Sequence, residues 1–180
     1  MARSALVVID MLNPYDHQDA ERLTPQVEAV VEPLAKLVAR ARERDDVELV
    51  YVNDNYGDFS ADRHEIEKRA LRGRRPDLVK PILPPADCAF LPKVRHSAFF
   101  GTSLEYLLSH LEIGTVVLAG QVTEQCVLYS ALDAYVRHYD LAVPSDCVAC
   151  IDEELGRAAM RMMERNMSAR LAPSRDFFTG

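Results

Sequence analysis

Apolar residues recur along this chain in two alternating rhythms. Ala5-Leu6-Val7-Val8-Ile9 is an unbroken run rich in branched side chains, which predicts a strand buried on both faces. Similar short runs at 47–53, 88–92, 115–119, 141–143 and 169–171 predict five more strands. Between them the apolar residues take helical spacing. A helix is predicted over 24–44, opened by Thr24-Pro25, with Val27, Val30, Val31, Leu34, Leu37 and Val38 on one stripe and a kink at Pro33. Further helices are predicted over 62–72, over 102–110 behind a capping box at Thr102-Ser103-Leu104-Glu105, over 123–138 and over 152–167. Strands alternating with helices predict an α/β fold, a three-layer αβα sandwich around a mainly parallel, roughly six-stranded sheet.

The length of 180 residues suits a single domain over 1–180, long enough to bury about 70% of its surface. The 21 basic and 28 acidic residues leave a formal net charge of −7, which argues against nucleic acid or an anionic membrane as main partner. No apolar run reaches the ~18 residues of a membrane span, and the first one stops at Asp10, too early for a signal peptide. A cytoplasmic location is expected, with Cys88, Cys126, Cys147 and Cys150 as thiols rather than a disulfide framework.

In open α/β sheets, chemistry gathers beyond the carboxyl ends of the strands. There the first strand ends in Asp10 and the third in Lys93; the fourth ends in Gly120, with Cys126 in the turn that follows. Each has an ordinary explanation alone: a turn former, a solvated lysine, a small buried hydrophobe. Together they form a nucleophile, a base and a charge partner. A thiol needs activation, and a helix start and Lys93 are expected to lower its pKa while Asp10 takes its proton. The Gly120-Gln121-Val122-Thr123 turn is placed to aim backbone N–H groups at an oxyanion.

Three segments carry a resemblance: Val7-Val8-Ile9-Asp10-Met11-Leu12-Asn13, then 91–102 (LPKVRHSAFFGT), then Ala119-Gly120-Gln121-Val122-Thr123-Glu124-Gln125-Cys126-Val127. In this order they resemble the isochorismatase-like cysteine hydrolases, a superfamily that includes nicotinamidases, N-carbamoylsarcosine amidase and isochorismatase. The resemblance implies a Rossmann-like hydrolase fold and a catalytic triad of Asp10, Lys93 and Cys126. It also implies a cis peptide at Gln121-Val122 and an oxyanion hole formed by the backbone N–H groups of Val122 and Cys126. By family position, Leu12, Asn13, Asn55, Phe99, Phe100, Gln121 and Gln125 are expected to line the substrate pocket. A homo-oligomer, dimer or tetramer, is implied too. Isochorismatase itself cleaves a vinyl ether, so Cys126 turns the expectation toward an amide-type C–N bond in a small molecule, cleaved through a thioester. Asp10 then serves thiol, leaving amine and water in turn. Ether hydrolysis, or a non-catalytic redox thiol protein on the same scaffold, are the alternatives.

Nicotinamidases carry an Asp-x-His and further histidines for a metal after the second strand. Here Asn53-Asp54-Asn55 stands in that place, with His64 the nearest histidine in sequence, so no metal is expected. No cofactor is expected either, because no G-x-G-x-x-G follows the first strand and no P-loop is present. Cys147-Val148-Ala149-Cys150 lacks the second pair a zinc site needs and reads as structural thiols. The Lys68, Arg69, Arg72, Arg74, Arg75 cluster reads as a solvated face; His96, three residues after Lys93, either lines the site or supports a loop, and the second reading is favoured.

Overall fold

The computed structural model describes residues 3–179. The first strand, β1 (Arg3–Ile9), is central. β2 (Val47–Asp54) and β3 (Ala89–Lys93) lie to one side, and β4 (Ile113–Gln121), β5 (Asp140–Pro144) and β7 (Arg170–Ala172) to the other. The order is β3-β2-β1-β4-β5-β7, and every pairing is parallel. The two-residue β6 (Val148–Ala149) also pairs with β4, so the sheet has seven strands where six were expected. A two-residue strand carries no readable period, which is why the sequence does not announce it.

Alternate residues of each strand enter separate cores. Leu6, Val8, Leu49, Tyr51, Val117 and Ala119 meet α1 (Ala20–Arg42), α2 (Arg63–Leu71) and the short α3 (Pro76–Val79) on one face. Val7, Ile9, Val50, Val52, Val116 and Leu118 meet α4 (Leu104–His110), α5 (Leu128–Val136) and α6 (Glu153–Met167) on the other. This is the three-layer arrangement that unbroken apolar strands demand.

Three helix starts differ from expectation. α1 begins at Ala20 rather than at Thr24, because Ala20 and Leu23 are buried and packing carries the helix back past Pro25. The capping box before α4 does not form: Ser103 makes no side-chain cap, and the Thr102 hydroxyl instead donates to the Ala98 carbonyl and accepts from Leu104 N. The helix expected over 123–138 opens as a π-helical turn, Thr123–Val127, and becomes α-helical only at Leu128. Asp62 and Asp152 do cap α2 and α6, each accepting from backbone N–H groups.

The strand order reverses between β1 and β4, and the crevice lies there. Gly120 makes that crevice narrow. It sits at φ +115°, and a Cβ on it would fall 2.1 Å from the Ile9 carbonyl oxygen, so a side chain cannot be admitted.

Candidate active site

Asp10 follows β1 with φ 55°, a left-handed conformation that aspartate tolerates better than most residues. This turn brings its carboxylate over the end of the sheet, where Oδ1 accepts from Asp54 N at 2.7 Å. Lys93 closes β3, in register with Asp54 on β2. Its side chain is fully buried, and its ammonium lies 2.8 Å from Asp10 Oδ2, 3.7 Å from Asp54 Oδ2 and 3.8 Å from Cys126 Sγ. An ammonium has three donors, and here three acceptors surround it. Cys126 comes from the π-helical turn after β4, with its sulfur within reach of the Lys93 ammonium and the His96 ring. The peptide bond between Gln121 and Val122 is cis.

The electrostatics differ from the expected thiolate. Burial, together with the Asp10 charge, holds the Cys126 thiol well above its ordinary value, and Lys93 and Val122 N–H only partly offset this. Burial also raises Asp10, against the pull of Lys93 and of the thiol hydrogen bond. Lys93 is pulled down by burial but pulled up further by Asp10, Cys126 and Asp54, and stays a cation. Burial thus keeps the proton on the Cys126 sulfur.

The other candidate residues are distributed unevenly. Gln121 is buried and donates from Nε2 to the Asp10 carbonyl at 2.7 Å, holding the turn. Asn55 is buried at the rim: its N–H donates to the Lys93 carbonyl and its Oδ1 accepts from Gly57 N. Asn13 Oδ1 accepts from Tyr15 N, and Gln125 is half-buried next to Cys126. Leu12 and Phe99 lie in the two hydrophobic cores; Phe99 carries the Arg137 guanidinium 5.1 Å from its ring. Phe100 is 59% exposed.

Sequence reasoning missed Ser130 and undervalued Asp54 and His96. Asp54, weighed only as a metal ligand, is a second carboxylate on Lys93, and only the β2–β3 register reveals it. Ser130 is wholly buried; its hydroxyl donates to the Cys126 carbonyl at 2.6 Å and accepts from Ala98 N at 2.9 Å. His96, weighed as a site-lining residue but read in favour of loop support, is exposed and brings Nδ1 to 3.7 Å from Cys126 Sγ. Its spacing of three from Lys93 is the one sequence signal it offers.

A metal does not suit this donor set. Asp54 is occupied by Lys93 and Tyr56 N, and the Asn53 amide bonds both the N–H and the carbonyl of Leu12. His64 is exposed on α2, and among the described residues no three metal-ligating side chains gather. The basic cluster is largely paired: Arg75 with Asp77 and Glu28, Lys68 with Glu65, and Arg69 over the Tyr56 ring. A groove of about 600 Å³ lies beside α6, lined by Gln26, Thr123, Cys150, Arg157, Met160 and Arg161 among others; none of Asp10, Lys93 and Cys126 lines it. Among the described residues no helix is long and apolar enough to cross a membrane.

Comparison with known proteins adds the following. Residues 4–175 match the family model of the isochorismatase domain. The chain is 34% identical over 170 residues to the isochorismatase family protein YaaI of Bacillus subtilis, covering 94% of this chain and 93% of that protein. It is 32% identical over 154 residues to maleamate amidohydrolase of Pseudomonas putida, covering 81% of this chain and 72% of that one. Among solved structures, N-carbamoylsarcosine amidase from Thermoplasma acidophilum superposes with a TM-score of 0.75 at 30% identity, over 96% of both chains.

Proposed function

The chain belongs to the isochorismatase family, and from that membership we propose that it is a cysteine hydrolase that cleaves an amide-type C–N bond of a small molecule through a thioester on Cys126. The observation that carries this reading is the cluster at Lys93, whose buried ammonium touches Asp10, Asp54 and the Cys126 sulfur at once. Two amidohydrolases among the relatives support the choice of bond.

In this reading Asp10 takes the thiol proton as the sulfur attacks the substrate carbonyl. Transfer is coupled to attack because a free thiolate is disfavoured at so buried a position. Lys93 balances the charge that moves between Asp10 and the sulfur. The backbone N–H groups of Val122 and Cys126 receive the oxyanion. The nitrogen gains a proton as the amine leaves and an acyl thioester remains; the water that then attacks gives up a proton and releases the acid. Asp10 then returns its proton to the sulfur.

Turnover of a panel of small primary amides, including maleamate and N-carbamoylsarcosine, with isochorismate as the ether competitor, tests the reading. Ammonia release that disappears in Cys126→Ala supports it. Hydrolysis of isochorismate alone, unaffected by that substitution, overturns it. Self-association as a dimer or tetramer belongs to the same proposal, and Tyr129, Leu132 and Val136 give α5 an exposed apolar face that favours it. A clean monomer in sedimentation at micromolar concentration rejects that part.

A further inference from the structure

Asp10 is poorly placed for half of the proton transfers this reaction needs. It is 8% exposed, and both its oxygens are engaged, Oδ1 by Asp54 N and Oδ2 by Lys93. An amine that leaves and a water that attacks must exchange with solvent, and an exposed residue at the sulfur is His96, with Nδ1 3.7 Å from Sγ.

His96 is held there rather than loosely attached. The next residue, Ser97, donates its hydroxyl to Asp133 on α5. Ala98 N donates to Ser130 Oγ, and the same hydroxyl donates to the Cys126 carbonyl. One buried serine thus ties the imidazole's loop to the backbone of the nucleophile. The ring also packs edge-on against Tyr129, at 5.6 Å between centroids.

We propose that His96 is the second acid–base group of the reaction, serving the leaving amine and the hydrolytic water while Asp10 serves the thiol. The proposal rests on the cysteine-hydrolase reading above. The S–C bond forms as Asp10 takes the thiol proton. The C–N bond breaks as the imidazolium gives its proton to the nitrogen, leaving a thioester, neutral His96 and protonated Asp10. Water then adds to the thioester carbonyl, giving one proton to His96. The C–S bond breaks, Asp10 returns its proton to the sulfur, and the acid departs with both groups restored. An imidazole suits this double duty because one ring nitrogen can donate while the other accepts, and such catalysis contributes typically 10²–10⁴-fold.

The test uses p-nitrophenyl acetate, whose nitrophenolate leaves without needing a proton. Acetylation of Cys126 and loss of the acetyl group are followed separately by quenched-flow mass spectrometry. In His96→Gln, acetylation should stay within about threefold of wild type, while hydrolysis of the acetyl-enzyme falls on the order of 10²-fold. In His96→Ala, added imidazole should restore hydrolysis, which a merely structural role would not allow. Hydroxylamine, which needs no base, should discharge all acetyl-enzymes alike, showing that the site is intact. Hydrolysis at the wild-type rate in His96→Gln, or slow hydrolysis that imidazole leaves unchanged, overturns the role of His96 and leaves the thioester reading standing. No acetyl group on wild-type Cys126, or equal acetylation of the chain in Cys126→Ala, overturns the thioester reading itself.

Discussion

Cys126 and Cys147 are both buried thiols beside an aspartate, and burial raises both. Cys147 is pushed up to about 12, chiefly by desolvation and by Asp146, whose Oδ1 is 3.8 Å from its sulfur. The two aspartates are spent differently. Asp146 accepts from Ser174 N at 2.6 Å and from the Ser174 hydroxyl at 2.9 Å, a staple across the C-terminal segment. Asp10 bonds Lys93, and its proton affinity is tied to the charge on the sulfur. The surroundings differ further. Cys126 has an ammonium at 3.8 Å, an imidazole at 3.7 Å and Val122 N–H turned to its sulfur, whereas Cys147 is wholly buried and its carbonyl serves the fold by accepting from Gly120 N. A buried thiol beside a carboxylate is thus common to a site and a staple. The cation and the solvent face separate them.

The largest effect expected from this contrast is on turnover. Cys126→Ala should lower kcat on an accepted amide by on the order of 10⁴-fold or more while circular dichroism shows a retained fold, because removing one member of a cooperating unit costs most of its chemistry. Cys147→Ala should keep kcat and lose about 1 kcal/mol of stability in a denaturant titration. Equal activity losses in the two variants would erase the distinction.

Asp10→Asn should lose activity nearly as completely, and it should also cost about 3–5 kcal/mol of stability, because Lys93 stays buried with only the more distant Asp54 for company. Asp146→Asn should weaken the Ser174 staple and leave kcat unchanged. A small activity loss in Asp10→Asn would make Asp10 a turn residue, no different in kind from Asp146.

The pH dependence is a smaller, sharper effect. Asp10 must be ionised to receive the thiol proton, and its pKa is raised by burial. Activity should therefore fall, as pH is lowered, at a pH above the ordinary aspartate value of 3.8. For stability the sign is opposite to that of a salt-bridged surface carboxylate: the folded chain binds this proton more readily than the unfolded one. Asp10 thus costs stability as pH rises from the unfolded value through the folded one. A kcat/KM profile whose acid limb matches an unperturbed carboxylate contradicts this. No effect at all is expected from chelators, since Asp54, Asn53 and His64 are engaged or apart; activity lost on chelation and restored by zinc or iron would contradict that.

The sheet and the meeting of Asp10, Lys93 and Cys126 at its carboxyl edge were legible in the sequence because short apolar runs ending in Asp10, Lys93 and the Gly120 turn give period and position together. The thiol's elevated pKa was not legible, since the charge of Lys93 is visible in a sequence and the depth of Cys126 is not. The contact of Asp54 with Lys93 was not legible because strand register sets it, and the two readings of His96 stayed unresolved because an exposed loop histidine has no periodic signature. The pocket expectations for Leu12 and Phe99 met side chains that the two cores use for packing.

The most direct test of the central claim is peptide mapping after rapid acid quench of an enzyme turning over an amide. The account predicts an acyl group on Cys126, present during turnover and gone when substrate is exhausted, with Cys88, Cys147 and Cys150 unmodified. An acyl group on another residue, or steady turnover with Cys126 unmodified at every time point, would contradict it.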